Sequence, residues 1–223
     1  MPDGREKEHM SARRLARAVA ALAIALSASL ALAVPASAQA PAAPTGERSL
    51  ATVLAADGNG FDRNPLDFDI LDKAVTTVLA AKPGSAVGVL ADGSTALTAF
   101  LPTDQAFRSL AFELTGHRHL SEPAVFNALA QALGVDTIES VLLYHVVPGA
   151  TITYRQALQS DGAALTTAAG SEITVDVIHP VFVQIVDADT NDRNATVVRK
   201  DINRGNLQIA HGISQVLRPV DLP

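Results

Sequence analysis

The 223-residue chain contains no cysteine. That excludes disulfide stapling, a thiol nucleophile and thiol-linked lipid attachment. A surplus of positive charge is missing too, with 17 Lys+Arg against 23 Asp+Glu. The chain therefore repels phosphate backbones and anionic lipid, and neither nucleic acid nor a membrane surface is an expected partner. The recurring signatures of catalysis are absent as well. "GSAVG" (Gly84 to Gly88) has no serine at its centre, as a nucleophile elbow requires, and neither His-Glu-x-x-His nor Ser-x-x-Lys occurs. "DGNGFD" (Asp57 to Asp62) lacks the third glycine of a dinucleotide-binding turn. The chain is read as a non-enzyme, with no catalytic residue, no metal ligand and no cofactor.

What is present is the composition of a folded protein, 48% hydrophobic and 18% charged. Near the N-terminus, Arg13, Arg14 and Arg17 precede an apolar run from Ala18 to Val34, then Pro35 and the small triplet Ala36-Ser37-Ala38. This predicts a secretory signal peptide over residues 1–38, cut after Ala38. An uncleaved anchor fits less well, because the run is shorter than the ~20 residues of a span and carries Ser27 and Ser29. Arg13-Arg14 also admits twin-arginine export, although Ala16 and Arg17 interrupt the apolar residues that should follow. Cleavage removes five Lys/Arg and three Asp/Glu, leaving 185 residues with 12 basic and 20 acidic side chains and a formal charge of −8. Residues 39–47 read as a Pro/Ala linker and 48–221 as one domain. A domain above ~150 residues buries about 70% of its unfolded surface and needs no staples.

Periodicity divides that domain in two. Its first half is helical. Ser49 can cap a short helix that Gly58 stops, and Phe68, Leu71, Val75, Val78 and Leu79 recur at helical spacing behind Asp67 or Asp69 as a cap. "ALTAFL" reads as a strand, ended by Pro102-Thr103-Asp104, with Thr103 capping a helix that bears Phe107, Leu110, Ala111 and Leu114. A further helix opens at Ser121-Glu122-Pro123 and stops at Gly134. Another follows at once, with Asp136 and Glu139 at capping-box spacing and Ile138, Val141 and Leu142 leading into Tyr144. Beyond Pro148-Gly149 the period becomes two, in "EITVDVI", "VFVQIV", "ATVVRKDI" and "LQIAHGISQVL". Helices first and strands second, without βαβ alternation, predict an α+β fold.

Two polar clusters stand out. In "DADTNDRN", Asp187, Asp189 and Asn191 alternate as the first ligands of a calcium loop would, but Asp192 replaces the needed glycine and Val198 the closing glutamate. A solvated hairpin turn is the expectation for Asp187 to Asn194. His117-Arg118-His119 reads as an exposed loop, since Arg118 opposes a cation between the two imidazoles. Asn194-Ala195-Thr196 has the form of an N-glycosylation sequon.

Three stretches, in order, carry a family resemblance. "TAFLPTDQAF" (Thr98 to Phe107) resembles the first signature of fasciclin domains, "LLYHVVPGA" (Leu142 to Ala150) their Tyr-His segment, and "GNLQIAHGISQVLRP" (Gly205 to Pro219) their second signature. "VVRKDI" ahead of the last also fits, and the resemblance spans roughly Ser49 to Pro219. Leu101 stands where the family has a small alanine, and Ala210 separates Ile209 from His211. Residues 111–134 and the 187–194 loop are longer than the common form. The resemblance implies a β-wedge of two packed sheets with flanking helices, and a secreted, non-catalytic adhesion or matrix-interaction module. Its partner would be an extracellular or cell-surface protein or polysaccharide. An extracellular carrier of a small apolar ligand, a pigment or lipid, is the alternative, and a hydrolase ranks behind both.

The resemblance places the functional expectation on Tyr144 and His145, with Leu142, Leu143, Val146 and Val147 beside them, as residues that form or support an adhesive surface. From chemistry alone, the pair reads as two rings packed inward at a helix-to-strand junction. Their polar atoms would be bonded to backbone, because an unpaired buried donor costs about 1–3 kcal/mol. The two readings are compatible.

Overall fold

The computed structural model describes residues 44–57 and 60–220. The expected signal peptide, linker residues 39–43, the Gly58 stop and Asp221 lie outside that range. Helix α1 (Leu50–Leu54) opens as its sequence dictates: Ser49 Oγ accepts the Thr52 N–H at 3.2 Å, and Leu50 and Leu54 turn inward together. Helix α2 (Asp69–Ala81) buries Ile70, Leu71, Ala74, Val75 and Val78 along one face. Its cap differs from the expectation. Phe68 occupies the cap position without a side-chain bond, and the Ile70 N–H donates instead to Asp104 Oδ1 at 3.0 Å. That acceptor comes from a later helix, which local periodicity cannot reveal.

Strand β1 (Leu97–Pro102) is buried at every position. Thr103 then accepts the Ala106 N–H and starts α3 (Asp104–Thr115), as expected. Helix α4 (Glu122–Tyr144) breaks at Gly134, whose φ of 72° and ψ of 166° only glycine adopts at little cost, so the two expected helices meet there at a kink. Asp136 and Glu139 do not serve as the expected capping box. Both carboxylates hold Lys82 Nζ just past α2, Glu139 at 2.5 Å, and fasten the two helices together.

After α4 come β2 (Val146–Pro148), α5 (Tyr154–Ala157), β3 (Ala164–Thr166), β4 (Glu172–Ile178), β5 (Phe182–Val186), β6 (Ala195–Ile202) and β7 (Gln208–Ile213). The strands form one hydrogen-bonded sheet in the order β2-β1-β7-β6-β5-β4-β3, parallel only between β1 and β7. β6 makes the sheet fold over. It pairs with β5 through Ala195 and Thr196 and with β7 through Val197 to Ile202, with two register shifts that bend the strand. Phe100, Val147 and Ile213 of one half thereby meet Ile173, Val175, Val183 and Ile185 of the other. A second apolar cluster joins the helices to the outer face, through Ile70, Val78, Leu101, Leu110, Leu129 and Ala210. The α+β class is as expected, and its two packed layers are halves of one bent sheet.

Gln208 ties the N-terminal elements to this sheet. Fully buried, its Oε1 accepts the Leu50 N–H at 2.8 Å, and its Nε2 donates to the Val89 and Asp92 carbonyls at 2.8 and 2.7 Å. Gln208→Leu keeps the approximate volume but orphans these backbone groups. The expected loss is about 2–4 kcal/mol of unfolding free energy in urea; a loss within ±0.5 kcal/mol would show that the clamp contributes nothing.

Candidate functional site

The last turn of α4 delivers Tyr144 into the space between the two halves of the sheet, where its side chain is 0% exposed. Its hydroxyl donates to the Glu172 carbonyl at 2.9 Å and accepts the Ala188 N–H at 3.1 Å. Glu172 begins β4 and Ala188 lies just past β5, so one hydroxyl closes the base of the β4–β5 hairpin. Burial raises the Tyr144 pKa.

His145 caps α4 and is equally enclosed. Nδ1 faces the Val141 carbonyl at 2.7 Å, so it must donate, and Nε2 accepts the Leu217 N–H at 2.9 Å. The ring is thus a neutral bridge between helix end and C-terminal segment. Burial pushes its pKa down to about 4. Leu142, Val146 and Val147 are buried beside the pair, whereas Leu143 is half-buried and lines an open groove with Ala168, Ser171 and Val220. All six candidate residues share one junction, and only Leu143 among them reaches the surface appreciably.

A second core histidine mirrors the first. On β7, His211 Nε2 donates to the Ile152 carbonyl at 2.9 Å while Nδ1 accepts the Asp201 N–H at 3.2 Å, and burial lowers its pKa. The two rings are therefore opposite tautomers with every ring nitrogen engaged by backbone. Neither can take a proton from a substrate without breaking a structural bond. Because the folded pKa of His145 lies below the unfolded value, its neutral-state contribution is complete above about pH 6.5 and drains away as pH falls toward 4. Nitrogen-15 spectra should find His145 neutral and protonated at Nδ1 at pH 5.5, and His211 neutral and protonated at Nε2 at pH 7.5. A charged imidazolium at either position would contradict this arrangement.

The 187–194 loop acts differently from a solvated turn. Asp187 and Asp189 do bond their own backbone, at the Asp189 and Asn191 N–H groups, as turn-forming residues do. Their remaining oxygens point to Arg218: Asp187 Oδ2 accepts its N–H at 2.7 Å, and Asp189 Oδ2 lies 3.2 Å from Nη1. Asp192 and Glu113 also pair with Nη2. The loop's cation is a guanidinium from the C-terminal segment. Burial, ahead of the neighbouring carboxylates, pushes Asp187 up to about 6. His117 and His119 both turn back to Thr115 after α3.

The surface feature that sequence reasoning missed is the tip of the β4–β5 hairpin. Ile178 and Phe182 face each other across its last rung, and Val181 and Phe182 are 51% and 52% exposed. At that end the Tyr154 hydroxyl donates to the Val181 carbonyl at 2.6 Å, and Lys200 Nζ stands 4.0 Å from the Tyr154 ring centre. A signal existed in "VIHPVF": the turn between two strands has apolar residues on both shoulders where polar ones are usual.

The fasciclin domain model matches residues 73–219. Among solved structures, the chain is similar to a FAS1 domain pair from the insect cell adhesion molecule fasciclin I, at 18% identity and a TM-score of 0.48, covering 70% of this chain and 48% of that one. The chain thus spans about half the length of that solved relative. No curated protein matches it. Among the described residues, no helix is long and apolar enough to cross a membrane. With a family model covering most of its length and all three motifs built into one bent sheet and its helices, the chain belongs to the fasciclin domain family.

Proposed function

We propose that this protein is an exported, non-catalytic adhesion module, cut after Ala38, whose domain contacts a cell-surface or matrix protein through the β4–β5 hairpin tip. The observation that carries this reading is the double brace on that hairpin. Tyr144 closes its base and Tyr154 holds its tip. Three apolar side chains, Ile178, Val181 and Phe182, are thereby presented to solvent on a rigid support. Such preorganisation reduces the ordering cost of binding. On this reading Tyr144 and His145, with Leu142, Val146 and Val147, support the contact from within, and Leu143 marks a neighbouring groove. The negative formal charge favours a protein over an anionic lipid surface.

The carrier reading receives less support. The enclosed cavity between helices and sheet, lined by Ile70, Phe107, Phe126, Leu129, Val141 and His145, measures about 30 Å³, room for a water molecule and not for a pigment or lipid; the groove beside Leu143 is larger, about 640 Å³, but it is open and lined in part by Asp136, Thr137 and Ser140. Native purification followed by a pull-down from the producing cell's surface separates the readings. Adhesion predicts a colourless, lipid-free chain that captures a surface protein. A bound pigment or lipid in stoichiometric amount would favour the carrier, and capture of polysaccharide alone would replace the partner class.

A further inference from the structure

The segment from Asp62 to Asp69 folds over the start of α3, where the Asp104 N–H donates to the Asp67 carbonyl at 3.1 Å and the Gln105 N–H to that of Pro65 at 2.8 Å. This brings together carboxylates from three separate parts of the chain. Asp62, Asp67 and Asp69 have oxygens within 4.8 Å of one another, and so do Asp69, Asp104 and Glu122. All except Asp62 are buried.

Part of this charge is answered. Arg108 Nη2 lies 3.0 Å from Glu122 Oε1, the Asp62 N–H donates to Glu122 Oε2 at 2.7 Å, and the Ile70 N–H donates to Asp104 Oδ1. Asp69, Asp104 and Glu122 also occupy the first turns of α2, α3 and α4, whose ends each carry about half a positive charge. That answer is incomplete. Two oxygens mark the deficit. Asp67 Oδ1 and Asp104 Oδ2 receive no hydrogen bond, although their residues are only 7% and 0% exposed and their carboxyl groups face each other.

We propose that this junction binds one divalent, oxygen-preferring cation, calcium foremost, through Asp67, Asp69, Asp104 and Glu122, with Asp62 on its solvent side. An all-carboxylate donor set suits hard cations. Calcium accepts an irregular set of six to eight oxygens at about 2.3–2.6 Å, as carboxylates from three segments supply, whereas magnesium demands a near-ideal octahedron. The ion would join the starts of three helices and answer both orphaned oxygens. The feature is invisible to local motif reading because its ligands come from three distant segments.

The test uses the chelator-stripped chain, calcium or magnesium chloride, titration calorimetry and thermal melting. Calcium should give a one-to-one isotherm and raise the melting temperature by about 5–10 °C at a hundredfold excess over Kd. Magnesium should act more weakly. Asp67→Asn should weaken calcium binding at least tenfold while leaving the metal-free chain as stable as the wild type or more so, since it removes charge from an unanswered position. Asp192→Asn, in the Arg218 cluster, should leave the affinity unchanged. Absence of any heat or melting shift with either ion overturns the proposal and leaves the carboxyls held by shared protons. Full affinity in Asp67→Asn, or an isotherm abolished by Asp192→Asn, overturns it as well.

Discussion

Arg218→Met should lower the unfolding free energy by about 3–5 kcal/mol, the cost of removing one partner from a buried ionic cluster. The side chain of Asp189 is 1% exposed and that of Asp192 10%, so neither recovers its hydration when the guanidinium is lost. Glu113, 41% exposed, can turn to water and contributes little to the loss. The Asp187 bond to the residue 218 N–H survives, because it belongs to the backbone. Urea unfolding near neutral pH measures the effect. Arg218→Lys should recover only part of it, since a point charge cannot serve three carboxylates in a plane. A loss below 1 kcal/mol would mean that the loop and the C-terminal segment are held by something else.

The second large effect is Tyr144→Ala, expected to cost about 3–5 kcal/mol through the cavity left by a fully enclosed ring. On its own this distinguishes core from surface only weakly. Tyr144→Phe is more specific: it keeps the ring and removes the hydroxyl, leaving the Ala188 N–H and the Glu172 carbonyl short of a partner. The expected cost is about 1–3 kcal/mol. Amide exchange should quicken selectively from Glu172 to Ala188, because the brace acts on that hairpin and not on the helices. Uniform acceleration across the domain would contradict a local brace. His145→Ala should instead loosen the 216–219 segment, whose Leu217 N–H it accepts.

The sequence was most readable where structure is local. Ser49 and Thr103 cap the helices they precede, and the strands of the second half follow their period-two runs. Gly134 announced a break with helix on both sides of it, and both helices are there. What escaped depends on partners distant in sequence. The α2 cap is supplied by Asp104, Asp136 and Glu139 are drawn to Lys82, and the acidic loop serves Arg218. The parallel pairing of β1 with β7 joins the first strand to the last and has no local signature. The short β3 and α5 carried too few residues for either period to register. For the candidate site, the inward packing of Tyr144 and His145 was legible from their apolar neighbours. The surface they support was not, since the hairpin tip lies more than 30 residues farther along the chain.

The central claim is that the braced hairpin tip makes the adhesive contact. Its most direct measurement is attachment of the exported chain to the producing cell's surface, comparing wild type with the double variant Val181→Ser, Phe182→Ser. Both side chains are about half exposed, so the substitutions should shift the melting temperature by no more than about 2 °C. Attachment should fall at least tenfold. If the folded variant attaches as strongly as wild type, the tip is not the contact and the proposed role of Tyr144 in supporting it fails with it.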